Sequence, residues 1–313
     1  MNKLIVSSSP HIKTKNDTPR VMLDVIIALI PTVIAGIVIY GIRALLVVAT
    51  CVASAVVAEF LFNIITKREQ TVFDLSAIVT GLILGLSLHA DAPVWQCVVG
   101  SVFAVIVVKC LFGGLGANFA NPAVTARVFL LLCFSGTLAG GARPIITSNP
   151  DLVAGATPLE AIKAGAELPS ITDMLLGARG GAIGEACIIA LVLGFVYLVI
   201  RKVINFEVPV IFVATVFLLS FIVGGDLNTA LYQILAGGVV FGAVFMATDY
   251  VTTPITRTGK MIFAFGCGLL TFLIRQYGAY PEGVSFAILF MNILSPYIEQ
   301  WTKPRAFGKR GNK

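Results

Sequence analysis

Apolar runs and the residues that interrupt them divide this chain before any other property enters. Runs of about twenty residues, the length that crosses about 30 Å of hydrocarbon as helix, lie at 21–41, 43–66, 94–112, 183–201, 208–224, 229–247, 261–277 and 283–300. Two shorter runs lie at 74–89 and 122–136. Little more than Gly41 separates the first two, whereas a long polar stretch, 137–182, divides the fifth from the sixth. The pattern predicts an all-α integral membrane protein of about ten transmembrane helices. Its parts are a tail (1–20), five helices (21–136), a loop (137–182), five more helices (183–300) and a second tail (301–313).

The two sets of five resemble each other. GLILGLSL, ending at Leu88 and followed by Pro93, resembles GAVFMA (242–247) followed by Pro254. GGLGANFANPAVTARVF (113–129) resembles GAYPEGVSFAILFMN (278–292). In each half the pattern predicts a short glycine-rich helix that breaks at membrane depth, then a Gly/Pro/Asn turn opening a later helix. An odd number of helices per half gives two inverted repeats, an arrangement that places sites near the midplane.

Composition removes the soluble alternative: 58% of the 313 residues are hydrophobic and 12% charged, against about 25% charged in an ordinary soluble domain. No secretory signal peptide is read at the start, where the stretch to Arg20 is polar and basic. The net charge of +6 reflects where the cations fall and gives no reason to expect nucleic acid. Lys3, Lys13, Lys15, Arg20, Lys67, Arg68, Lys109, Arg201, Lys202, Arg257, Lys260, Lys303, Arg305, Lys309, Arg310 and Lys313 all fall on one side of a ten-helix arrangement. The opposite connections hold little beyond Arg43, His89 with Asp91, and Asp226. The positive-inside rule then predicts a cell-membrane protein with both termini cytoplasmic and 137–182 external.

The six cysteines are scattered singly, without metal-site spacing, and read as packing residues. His11 and His89, the only histidines, are too badly placed to hold a haem between helices. More informative is Asp151-Leu-Val-Ala-Gly155-Ala156-Thr157-Pro158-Leu. As a plain turn, Gly155 permits the bend and Thr157 caps a helix that opens at Pro158. That account leaves unexplained why a chain with such tight connections has a loop this long. A second set, Asn118, Asn121, Pro122 and Arg127, reads as helix caps, a first-turn proline and a snorkelling cation. Asp24, Glu59, Glu185, Asp249, Arg275 and Glu282 are further polar groups at membrane depth or its edges. Asp249 is read as a helix cap or a partner for Arg257 or Lys260, with passage of an ion as the functional alternative.

Five blocks in order, VTGLILGLSL (79–88), GGLGANFANPAVTARVF, DLVAGATPL (151–159), MATDYVTTPITRTGK (246–260) and AYPEGVSFAILFMN (279–292), resemble the D subunit of the Rnf ion-translocating ferredoxin:NAD⁺ oxidoreductase. That family is related to the B subunit of the sodium-translocating NADH:quinone oxidoreductase. The resemblance implies FMN attached covalently through its phosphate to Thr157, with Asp151, Gly155 and Ala156 as the rest of the motif, put in place by a separate flavin transferase. It implies a second flavin, riboflavin, held non-covalently by Asn118, Asn121 and Arg127 near the cytoplasmic side. It also implies the other Rnf subunits as partners, electron transfer coupled to Na⁺ or H⁺ movement, and no activity by the chain alone. Ala154 stands where many such motifs have Ser, and the chain begins without the long N-terminal region expected of the quinone-reductase relative. The readings set beside this one are a component like that quinone-reductase relative and a solute channel or secondary transporter.

Overall fold

The chain enters its first helix at Asp17-Thr18-Pro19, where the proline suits a first turn whose N–H groups have no helical partner. The computed structural model describes residues 17–138, 142, 144–145, 157–164, 169–177, 179–278 and 282–304. Helix α1 is Thr18–Tyr40 and α2 is Ile42–Ile65. They are joined by Gly41 alone, at φ 75°, a backbone conformation that suits glycine. Then come α3 (Ser76–Ser87) and α4 (Val94–Val102), which runs on as a π-helix, Phe103–Cys110. Helix α5 (Pro122–Cys133) closes the first set, with α6 (Ser135–Leu138) a single turn after it. Two short helices, α7 (Pro158–Ala164) and α8 (Ile171–Leu176), belong to the long connection. The second set is α9 (Ile188–Ile200), α10 (Glu207–Gly224), α11 (Leu227–Leu235), α12 (Val239–Phe241, continued as a π-helix to Met246), α13 (Arg257–Tyr277) and α14 (Val284–Thr302).

All ten apolar segments are therefore helical, but their lengths differ from the expectation of full spans. Among the described residues, four helices (α1, α2, α10 and α13) are individually long and apolar enough to cross a membrane, and α11 with α12 makes a fifth if the bent pair is one span. Helix α3, at 12 residues, reaches only about 18 Å. The chain is an all-α membrane protein with half-length helices packed among full-length ones.

Neighbour relations recur between the halves. Helix α2 packs on α3 and α4, and α10 packs on α11 and α13 in the same manner. Contacts of α1 with α9 and of α5 with α14 join the two sets.

The expected break in each half occurs in only one. Gly81 and Gly85 do not interrupt α3. A Cβ on Gly81 would lie 2.7 Å from Val52 Cα and one on Gly85 3.0 Å from Val48 Cα, so these glycines let α3 lie backbone-to-backbone on α2. In the second half, α11 and α12 are bent by 60° across Ala236–Gly238.

The partners of Lys109 and Asp249 decide two further readings. Lys109, at the end of the π-helix that continues α4, is not free at the membrane edge: it is 2% exposed and pairs with Glu59 of α2 at 2.9 Å. Asp249 does not pair with Arg257 or Lys260. It caps its own turn through Val251 N–H and the Thr252 hydroxyl, while Arg257 pairs with Glu207.

Candidate functional site

Two polar regions stand at opposite ends of the bundle. At one end, Thr157 precedes α7 and forms a reciprocal cap with Glu160. The Thr157 N–H donates to Glu160 Oε2 at 2.7 Å, and the Glu160 N–H donates to Thr157 Oγ1 at 3.3 Å. The Thr157 oxygen thus serves as an acceptor at the start of the helix. The residue is 7% exposed. Asp151, Gly155 and Ala156, the other members of the motif, lie outside the described residues.

Helix α7 is held on the bundle by Leu159, which packs with Met174 and Ala236. Ala236 belongs to the break between α11 and α12, so the short helix rests on the interrupted segment. A helix end inside the bundle leaves carbonyls and N–H groups unmatched, each costly away from water. Here both ends are answered by charge. Arg275 of α13 donates to the carbonyls of Gln233 (2.5 Å), Ala236 (3.2 Å) and Gly237 (3.0 Å), and its Nε donates to the Glu282 carbonyl. On the other side, the Glu185 carboxylate lies against Gly238, its Oε1 2.7 Å from where a side-chain Cβ would stand. Arg179 anchors that strand of the loop, donating to the Glu185 carbonyl at 2.7 Å and accepting from the Tyr40 hydroxyl through its own carbonyl. Arg275 and Arg179 are each 4% exposed and Glu185 is 8% exposed.

At the other end a cavity of about 800 Å³, counting its open mouth, lies among α1, α3, the π-helix after α4, and the turn after Met246. Asn118 and Asn121 both line it, and so do Lys109, Ser76 and Asp249. Asn121 is the N-cap of α5, its Oδ1 accepting from Ala123 and Val124, while its Nδ2 donates to the Met246 carbonyl across the two halves at 3.4 Å. Asn118 donates to the Ala120 carbonyl at 2.9 Å. The remaining wall is mostly Val, Ile and Leu side chains. Burial raises the Asp249 carboxyl above its ordinary value, against the lowering effects of Val251 N–H and Thr252. The lining thus sets a few polar groups at the rim of a mostly apolar wall, and the enclosed part of the cavity is about 100 Å³.

The structure thus brings Asn118 and Asn121 to one cavity and takes Arg127 elsewhere. The Arg127 guanidinium donates to the Ser87 carbonyl and to Glu282 Oε2 at 2.5 Å, tying α5 to the ends of α3 and α14. Glu160 is absent from the residues that the sequence singles out, although T-x-x-E ahead of an apolar turn is a capping-box pattern. Arg275 and Glu185 stand out there only as polar groups at depth. Nothing in the order of residues connects Arg275 to Gly237, 38 positions earlier in the chain.

Comparison with known proteins agrees over nearly the whole length. The NQR2, RnfD, RnfE family model matches residues 5–308. The D subunit of the Na(+)-translocating ferredoxin:NAD(+) oxidoreductase complex of Acetobacterium woodii is 45% identical, over 97% of this chain and 95% of that protein. The D subunit of the proton-translocating ferredoxin:NAD(+) oxidoreductase complex of Clostridium ljungdahlii is 38% identical over 99% and 97%. The D subunit of the ion-translocating oxidoreductase complex of Stutzerimonas stutzeri is 34% identical over 94% and 93%.

Proposed function

This chain belongs to the NQR2, RnfD, RnfE family, and on that premise we propose that it works as the D-type membrane component of an ion-translocating ferredoxin:NAD⁺ oxidoreductase, carrying FMN on Thr157 and a second, non-covalent flavin beside Asn118 and Asn121. The observation that carries the reading is the geometry at Thr157. A hydroxyl whose oxygen is held at a turn, on a helix seated over the interrupted segment, suits attachment through a phosphoester. Bound flavin supplies one- and two-electron chemistry, and the protein supplies position and electrostatics.

The chain's own residues define what such a group would meet. Glu160 already places a carboxylate at the Thr157 N–H, so a phosphoester there is expected to turn Glu160 outward and take over that donor. Arg275 and Glu185 keep the break beneath α7 rigid, which fixes where a tethered group begins. At the opposite end, Asn118 and Asn121 offer amide donors and acceptors at the rim of a largely apolar cavity, suited to a ring with a dioxopyrimidine edge. The relatives' names include both a Na⁺-translocating and a proton-translocating complex, so family membership leaves the ion to direct measurement. The sidedness of the cationic residues favours cytoplasmic termini, with Thr157 external. The remaining Rnf subunits and a flavin transferase are the partners this reading requires.

Intact-mass spectrometry of the chain made beside its transferase tests the proposal. We expect the wild-type protein to carry one FMN adduct and Thr157→Val, which keeps the shape and removes the oxygen, to carry none while inserting normally. A wild-type chain without an adduct, or an adduct that survives Thr157→Val, overturns it.

A further inference from the structure

Thr157 is 7% exposed, and Glu160 engages both its N–H and its Oγ1. The next two residues, Pro158 and Leu159, are buried as well. An enzyme that links a phosphoryl group to this oxygen must bring the phosphorus up to it, with the leaving group on the far side in line. With α7 docked, a donor as bulky as a dinucleotide has no such approach. The hydroxyl is enclosed for as long as the helix stays where it lies.

What keeps α7 in place is slight. The helix is seven residues long, Pro158–Ala164, well below the about 12–15 residues that an isolated helix needs to persist in water. Its seat is Leu159 against Met174 and Ala236, with Ile162 partly buried at the edge. Leu159 and Ile162 also line a cavity of about 990 Å³, counting its open mouth, opposite Ser220 and Gly224 of α10 and Phe272 of α13. The Ser220 hydroxyl is buried in that wall without a hydrogen-bond partner. A short helix with few buried apolar contacts, set over a cavity, belongs to the part of a fold that opens locally at least cost. Off its seat it cannot remain helical, and the cap on Thr157 is lost with the helix.

We propose that α7 is a latch: FMN is attached to Thr157 only while the helix is off its seat, and docking afterwards encloses the linkage and fixes where the tethered group begins. The inference rests on the reading that Thr157 carries FMN, and adds what controls the attachment. In the open state Thr157 Oγ1 takes the FMN phosphoryl group of flavin adenine dinucleotide (FAD). The Oγ–P bond forms, the bond between the two phosphates breaks, AMP leaves, and the hydroxyl proton goes to a base of the transferase. No electrons are exchanged. The rate of attachment then follows the fraction of time that α7 spends undocked, and residues that only shape the seat control it.

The test uses the complete complex made without the transferase, purified in detergent and then given transferase and FAD. The adduct on this chain is followed in time by intact-mass spectrometry. Met174 and Ser220 lie outside the motif around Thr157, so changing them alters the seat and leaves the recognised residues intact. Met174→Ala removes one wall of the seat and should raise the rate at least about ten-fold, because truncating a buried methionine typically weakens packing by more than that factor. Ser220→Leu fills the cavity and removes the unpartnered hydroxyl, and should lower the rate about three-fold, a typical gain from cavity filling. Hydrogen exchange over 157–164 should change by matching factors. Opposite shifts in the two variants are a pattern that general misfolding does not produce. Equal rates in the wild type and both variants overturn the inference and leave the attachment standing. No adduct in any of the three overturns the attachment and this inference with it.

Discussion

Helix α3 and the broken pair α11–α12 occupy matching places in the two halves and are held by opposite means. In the first half, two glycines four residues apart remove side chains, so α3 lies directly on the backbone of α2. The contact is apolar and the helix is continuous. In the second half the segment is interrupted, an arginine donates to the carbonyls at the break, and a buried glutamate lies against Gly238. Small residues in a membrane segment therefore mean close packing when the backbone can stay paired, and a break only where charged side chains stand ready to replace the lost helical bonds. The broken half is also the one on which α7 and Thr157 rest.

The largest test of this contrast is Arg275→Met. It leaves the carbonyls of Gln233, Ala236, Gly237 and Glu282 without their donor, and should cost about 3–5 kcal/mol, the range for removing one member of a buried charged network. Thermal unfolding of the purified complex in detergent measures it, and a loss below about 1 kcal/mol, the worth of a single ordinary hydrogen bond, would mean that the break does not depend on the arginine. Gly81→Leu probes the other half. Its side chain meets Val52 Cα and the Cys51 carbonyl, and overpacking of this kind typically costs about 1–3 kcal/mol. If α3 accepts leucine without loss, the glycine seam is not what fixes it. The smallest effect is expected at the cap. Glu160→Gln keeps an acceptor for the Thr157 N–H and removes the charge, so stability should change by only about 0.5 kcal/mol. Covalent flavin, read by in-gel fluorescence, should be retained at wild-type levels or above, because the phosphoester no longer faces a carboxylate. A marked loss of flavin in Glu160→Gln would instead make the glutamate part of what the attaching enzyme reads.

Much of the architecture is legible in the order of residues because hydrophobic length speaks directly to helix in a membrane. All ten apolar segments coincide with helices, and Asn121 and Thr157 stand at the helix starts that their side chains predict. Lengths of the inner helices are less legible, since a run such as 74–89 adds Asp74 and Leu75 before α3 and Leu88 and His89 after it, residues too few and too mixed to mark where the helix ends. Partners of buried charge are not legible at all. In sequence, Lys109 reads as a cation ending the fourth helix, Arg127 as a snorkelling cation or a ligand beside the asparagines, and Asp249 as a cap or a partner for Arg257 or Lys260. Each outcome depends on which helix lies beside which, and Glu59 is 50 residues from Lys109, as Arg127 is 155 from Glu282.

The pair between Glu59 and Lys109 carries a consequence for how the protein is made. Fifty residues separate them, and at about 5–20 residues per second of synthesis the second emerges several seconds after the first. During that interval α2 must enter the bilayer, or wait at its edge, with a carboxyl group that has no cation to meet. An acidic group at the centre of a span opposes insertion by roughly 2.5–3.5 kcal/mol, which sets the upper limit for Glu59, although the surrounding leucines and valines favour entry. The second helix is therefore expected to remain loosely seated until the π-helical segment arrives and draws it in. Lateral assembly of this bundle then begins with an ionic handshake across two helices, ahead of any packing against the second half.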